Sequence, residues 1–164
     1  MSGRIWNFFF SNIMMLSGKN IDPPSIEEQD EFLQAIFEGS VTEVEQYLAS
    51  GRDPNVHDSN DRTALQLAVE SGSAEIIEML LAHGASVNAA GFNGYTALHI
   101  AVHNSIDEIV QSGAQHGKEK TEILVYLLEA GAETNLKDGS GETPIEVAEQ
   151  YGSRKIVSLL KSYA

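Results

Sequence analysis

The chain has 164 residues, 42% of them hydrophobic, and a formal net charge of −14 at pH 7. That is the size and apolar content of one packed domain rather than of a disordered chain. The absence of cysteine excludes disulfides, zinc–thiolate sites and thiol catalysis together. The acidic balance argues against nucleic acid as partner, because phosphate binding needs clustered Lys and Arg; it suits a basic protein partner and plain solubility equally.

Residues 1–20, "MSGRIWNFFFSNIMMLSGKN", hold Arg4 and Lys19 and no acid, and "DPP" at 22–24 sets them apart from the rest. The apolar run at residues 5–16 has 12 residues, too few to span a bilayer. Several readings stand for this N-terminal apolar segment and linker, residues 1–24. It is a helix, with Asn7 and Ser11 on its polar side, that covers an apolar end of the domain; or a secretory signal, although no clear A-x-A site follows; or an anchor for a membrane or a second copy. It also reads as a stretch ahead of a true start at Met14 or Met15. The first reading places the protein in the cytoplasm; a signal or anchor would make it periplasmic or membrane-associated.

From residue 22 to residue 61 the chain carries eleven acids against Arg52 alone, most of the total net charge in a quarter of the length. A solvated helix face and a docking surface that steers a basic partner both explain such a run.

The remainder repeats itself. "DRTALQLAVESGSAEIIEMLLAHGASVN" (61–88) aligns with "GYTALHIAVHN" and "TEILVYLLEAGAETN" (94–135) and with "GETPIEVAEQYGSRKIVSLLKSYA" (141–164). Thr63 to Thr96 is 33 residues; Thr96 to Thr143 is 47, an excess of 14. Counting back 33 from Leu65, Ala68, Gly72, Gly84 and Asn88 lands on Phe32, Ala35, Gly39, Gly51 and Asn55, so a degenerate first unit precedes them.

Each unit reads as two short helices. In the first, Ser25 with Glu28 and Ser40 with Glu43 have the spacing of capping boxes, and Phe32, Leu33, Ile36 and Phe37 form an apolar set without a preceding neighbour. Leu65, Ala68 and Val69, then Ile76, Ile77, Leu80 and Leu81, keep helical spacing in the second. Gly84 and Gly131 stand where a helix end wants a left-handed residue. Thr143 and Glu146 form a further capping box with Pro144 at the first helical position. In "SRKIVSLLKS" Lys and Arg are available to face water, as a terminal unit requires.

The 14 extra residues fall between Asn104 and about Thr121. Leu98, Ala101, Val102, Ile106, Ile109 and Val110 carry the helical spacing onward. The first helix of the third unit is therefore expected to reach about Gln111, with "SGAQHGKEK" as a return loop and the next helix starting near Lys118 to Thr121. Ile106, Ile109 and Val110 either cover the flank of a neighbouring unit or are offered to a partner.

On "TALQLA" (63–68), "TALHIA" (96–101) and "TPIEVA" (143–148), followed by "EMLLAHGASVN" and "VYLLEAGAETN", the chain resembles the ankyrin repeat family. Gln66 and Glu146 replace the family's signature His, and Asp30 its Thr. The resemblance implies an all-α solenoid of four helix-turn-helix units over residues 25–164, at about 25–57, 58–90, 91–137 and 138–164. The extended helix pair belongs to the third unit. The short bacterial members of the family are similar in the I-D-x-x-x-Q-S-G stretch.

His99 and His103 have the i, i+4 spacing of two zinc ligands, but no third ligand is evident. The resemblance makes His99 a structural residue that hydrogen-bonds between units. No Ser nucleophile accompanies His103 or His116. "DGSG" (138–141) lacks the Lys-Ser/Thr of a phosphate loop, and "NG" at 93–94 reads as a tight turn. No enzyme, metal or cofactor is expected.

The resemblance implies binding through hairpin tips and the exposed side of each first helix, together a concave face. Carried over residue by residue, this names His57, Ser59, Asn60, Arg62, Glu70 and Ser71 in the second unit. It names Phe92, Asn93, Tyr95, His103 and Asn104 in the third, and Lys137, Ser140, Glu142, Gln150 and Tyr151 in the fourth. Phe92 and Tyr95, beside the turn, are the expected anchors. The partner is then another protein, and the short acidic format is similar to bacterial ankyrin proteins that neutralise a toxin or regulate a neighbouring enzyme. An exported or membrane-associated accessory protein is the alternative.

Overall fold

The computed structural model describes residues 26–112 and 121–164, with side chains from 29 to 106 and from 121 onward. Eight α-helices lie in this portion: α1 (Ile26–Glu38), α2 (Val41–Ala49), α3 (Ala64–Ser71), α4 (Ala74–Ala82), α5 (Ala97–Ser112), α6 (Glu122–Glu129), α7 (Pro144–Gln150) and α8 (Arg154–Ser162). Among the described residues β pairing is confined to one bridge, His57 with Thr63. The expectations for residues 1–25 and 113–120, including the signal, anchor and capping readings, Ser25 and the return loop, lie outside the described residues.

The helices pair within each unit, α1 with α2, α3 with α4, α5 with α6 and α7 with α8, and then stack. First helices form one layer, α1 on α3 on α5 on α7; second helices form another, α2 on α4 on α6. An eight-residue helix in water has too few hydrogen bonds to repay its nucleation, so these helices exist because stacking buries their apolar sides. Ile36, Leu65, Ile76, Ile77, Leu80, Leu98, Leu124, Leu127, Ile156 and Leu160 are fully buried in one continuous core.

Local chemistry marks the helix ends. The Thr63 hydroxyl accepts from the Gln66 N–H while the Gln66 side chain accepts from the Thr63 N–H, and Thr143 with Glu146 repeats this reciprocal box with Pro144 in the first turn. The expected box at Ser40 and Glu43 does not form. Ser40, at ψ 83, makes no side-chain cap, whereas Ser73 and Ser153 at the same step of their units accept from Ile76 and Ile156. A direct consequence is that Ser153→Ala should lower stability by about 1 kcal/mol and Ser40→Ala by much less, read from urea denaturation midpoints. Helix ends at Gly84 and Gly131 take the left-handed conformation, with φ of 91° and 89°.

In the third unit α5 continues to Ser112, one residue beyond the expected Gln111, and α6 starts at Glu122 with Thr121 before it. Ile106 is 4% exposed and joins the core, so at least the first extra turn is packed; the side chains of Ile109 and Val110 lie outside the described residues. Phe37 departs from expectation. Phe32, Leu33 and Ile36 are buried, but Phe37 is 58% exposed. The position of Ile36, Val69 and Val102, all fully buried, is taken in the fourth unit by Glu149, whose carboxylate accepts from Lys161 at 2.8 Å. That charge on an otherwise apolar position makes the outer side of α7 and α8 wettable.

Candidate recognition face

Three hairpins join the units, and the same backbone pattern recurs in each. Asp58 N–H donates to Arg62 O and Asp61 N–H to Asp58 O; Gly91 with Tyr95 and Gly94 repeats this, as does Asp138 with Glu142 and Gly141. Two of the hairpins are braced by an aspartate. The Asp58 carboxylate accepts from the N–H groups of Asn60 and Arg62, and that of Asp138 from Ser140 and Glu142. Burial alone would raise both carboxyls, yet these donors outweigh it and hold them below the usual carboxylate range.

The middle hairpin has Gly91 at the braced position and compensates with its turn. Asn93 (φ 54°, ψ 31°) and Gly94 (φ 71°) are both left-handed, and Tyr95 N–H donates back to Phe92 O. Two consecutive left-handed residues closed by that bond make the type I′ turn that Asn-Gly favours. The glycine is also required by proximity: a Cβ on Gly91 would stand 2.5 Å from the Asp61 carbonyl oxygen and 2.2 Å from the Gln66 side-chain oxygen.

Adjacent hairpins are sewn together. Phe92 N–H donates to Asp61 O and Gly139 N–H to Asn93 O. Beneath them the Gln66 amide donates to Tyr95 O, and one unit further along His99 Nε2 pairs with Glu142 O at 3.1 Å. His99 Nδ1 lies 2.9 Å from the Thr96 hydroxyl and accepts from the Thr96 N–H. Both imidazole nitrogens of this fully buried side chain are thus engaged, which leaves it neutral with its proton on Nε2 and unavailable to a metal. On the other edge of the stack Asn55 and Asn88 repeat a second tie. Each donates to the glycine carbonyl that ends the next unit's second helix, Gly84 and Gly131, and accepts from the N–H two residues on.

This framework fixes a groove of about 200 Å³ lined by Arg62, Gln66, Glu70, Phe92, Tyr95, Ile100 and His103. Phe92 stands at its rim, 68% exposed. Tyr95 is half-buried; its ring meets His99 and His103 edge-on at centroid distances of 5.8 and 5.9 Å. His103 in turn meets Tyr151 at 6.3 Å, so the aromatic row runs from the third unit's hairpin to the end of α7. Burial, then the neighbouring Asp138 and Glu142 carboxylates, push the Tyr95 phenol above its usual range.

The remaining expected residues divide between display and construction. Asn60, Ser59, Ser140 and Lys137 are solvent-facing hairpin residues, and Tyr151 is 49% exposed. Arg62 is not a free cation: its guanidinium binds Asp58 at 2.7 Å and Glu70 at 2.6 Å. His57 pairs with Asp61 at 2.9 Å. Asn93 carries the turn and abuts Gly139, Asn104 donates to Val69 O at the end of α3, and Ser71 bonds Ala68 O within its own helix. Glu142 offers its carbonyl to His99 and its carboxylate to the Gln150 amide. Sequence reasoning missed Gln66, Asp58 and Asp138 as framework residues and Phe37 as an exposed one.

Among known families, the model described as ankyrin repeats in three copies matches residues 32–114, half of the chain, and the single ankyrin repeat model matches residues 93–139. No curated protein matches the chain.

Proposed function

The chain belongs to the ankyrin repeat family, whose repeats are non-catalytic scaffolds for protein–protein interaction, and from that premise we propose that it binds a protein partner through its hairpin tips and first-helix face. The observation that carries the reading is Phe92, 68% exposed at the rim of a groove that two units build. Isolating a large aromatic in water gains the protein nothing, whereas aromatics are the usual anchors of interfaces. Tyr95, His103 and Tyr151 extend the same face, Asn60 and Asn93 edge it, and Arg62, Glu70 and Glu142 supply a polar surround whose side chains are already held in place by ion pairs and hydrogen bonds. Held side chains lose little rotamer freedom on association.

The proposed activity is non-enzymatic: the partner is bound, and any effect on it comes from what the face covers. A toxin-neutralising or regulatory role, exercised in the cytoplasm, is the finer form of this proposal. Affinity capture from cells with the full chain tests it. Phe92→Ala and Tyr151→Ala should each weaken capture at least about tenfold with an unchanged thermal midpoint, while Tyr126→Ala on α6 should leave it intact. Equal capture by all three variants would remove the face from consideration.

A further inference from the structure

The repeat register places Phe37 in α1 at the position held by Glu70 in α3, His103 in α5 and Gln150 in α7. Glu70 and His103 line the groove, and α1 packs directly on α3. The exposed Phe37 side chain therefore continues the same helix row by one unit, and its 58% exposure gives the face a third exposed aromatic beside Phe92 in the hairpin and Tyr151 at the end of α7. In the hairpins and helix ends that carry the three aromatics, Glu38, Asp58, Asp61, Glu70 and Glu142 stand against Arg62, Lys137 and Arg154. Arg62 is shared between Asp58 and Glu70, so these three groups together carry one net negative charge.

We propose that the recognition face runs across all four units, from Phe37 to Tyr151, and that its occupant is a cationic protein segment that also carries apolar side chains. The proposal rests on the reading that this face binds protein, and adds the partner's chemistry and the length it must cover. Apolar anchors alone would not select a charge sign. Here, however, carboxylates outnumber cations beside Phe37, which Glu38 follows, and beside Phe92, where Asp58, Asp61 and Glu70 stand against Arg62. An acidic segment meets repulsion at those two anchors, while Lys and Arg find both carboxylates and aromatic faces. Packed helices lie about 8–10 Å apart, so three steps from α1 to α7 span on the order of 24–30 Å. A helical segment covers that in about 18 residues at 1.5 Å each.

The test uses a photo-crosslinking benzoylphenylalanine placed in turn at Phe37, Phe92 and Tyr151 of the full chain in cells, with the attached segment mapped by mass spectrometry. The expected result is one partner protein at all three positions, joined through a segment of net positive charge. Attachment to a neutral or acidic segment overturns this inference and leaves the interaction reading standing. Attachment at Phe92 and Tyr151 but not Phe37 overturns the four-unit extent. Attachment to a second copy, or to residues 5–16 of the same chain, overturns it too, and no protein attached at any position contradicts both readings.

In vitro, an amphipathic peptide of Lys and Leu of about 18 residues should bind at least about tenfold more tightly than its Glu-for-Lys counterpart, a ratio that falls in high salt. Phe37→Ala should weaken that binding at least about tenfold; equal binding by the variant, or by the two peptides, would overturn the proposal.

Discussion

His99→Ala is expected to lower the free energy of unfolding by about 3 kcal/mol, because it strands two partners and opens a hole at once. The Thr96 N–H loses its acceptor and the Glu142 carbonyl its donor, both at the junction of the third and fourth units. His99→Gln should be far milder, since Gln66 fills the same place one unit earlier with equivalent bonds to Thr63 and Tyr95. The two variants also differ from the parent in pH response. Burial holds the imidazole below its ordinary 6.5, against the opposing pull of the Glu142 carbonyl and the Asp138 charge. The unfolded chain then takes up a proton that the folded chain resists, so stability falls as pH drops below about 6.5 toward the folded value. Urea denaturation at pH 7.5 and pH 5.5 should show that loss in the parent and a smaller one in His99→Gln. A parent whose stability is unchanged between those pH values would contradict the assignment of a buried, neutral histidine.

Gly91→Ala is expected to lower stability by about 2–3 kcal/mol, much more than an added methyl group on a surface loop. The new Cβ would press on a backbone oxygen at 2.5 Å and on the Gln66 side chain at 2.2 Å, and Gln66 cannot swing away without releasing Thr63 and Tyr95. Gly91→Asp, which restores the brace residue of the other two hairpins, should do no better. Amide exchange would locate the damage: Phe92 and Tyr95 should lose protection first, since their N–H groups close the hairpin junction and the turn. An alanine variant with parental stability would mean that the two hairpins can separate freely, and the groove between them would lose its fixed shape.

These effects show what the sequence could and could not disclose. The period, the four helix pairs and the length of α5 were legible because each rests on local spacing: apolar residues every three or four positions, Thr-x-x-Glu at a helix start, glycine at its end. The ties between units were not. Asn55 and Asn88 recur visibly, yet their partners stand 29 to 45 residues away, and nothing near either asparagine announces them. Ser40 has the spacing of a cap and nearly the backbone angles of Ser153, yet only Ser153 turns its hydroxyl to the helix start. Phe37 reads as core because helical spacing alone cannot separate the buried side of a first helix from the side it shows to solvent.

The candidate face followed the same division. Phe92 and Tyr151 were recognisable as aromatics in hairpin and helix-end positions, and both are exposed. Arg62 looked like a surface ligand, but its neighbours Asp58 and Glu70 come from a hairpin and a helix that only the fold brings together. Burial by itself could not be read for Tyr95 either: its ring leans on two histidines from the following helix.

On the proposed reading the partner lies across hairpins and first helices, with second helices left free. Hydrogen–deuterium exchange of the chain with and without its captured partner tests this most directly. Protection on binding is predicted at residues 34–38, 57–62, 92–95, 100–104 and 137–151, and no change along α2, α4, α6 and α8. Protection confined to those second helices would contradict the account.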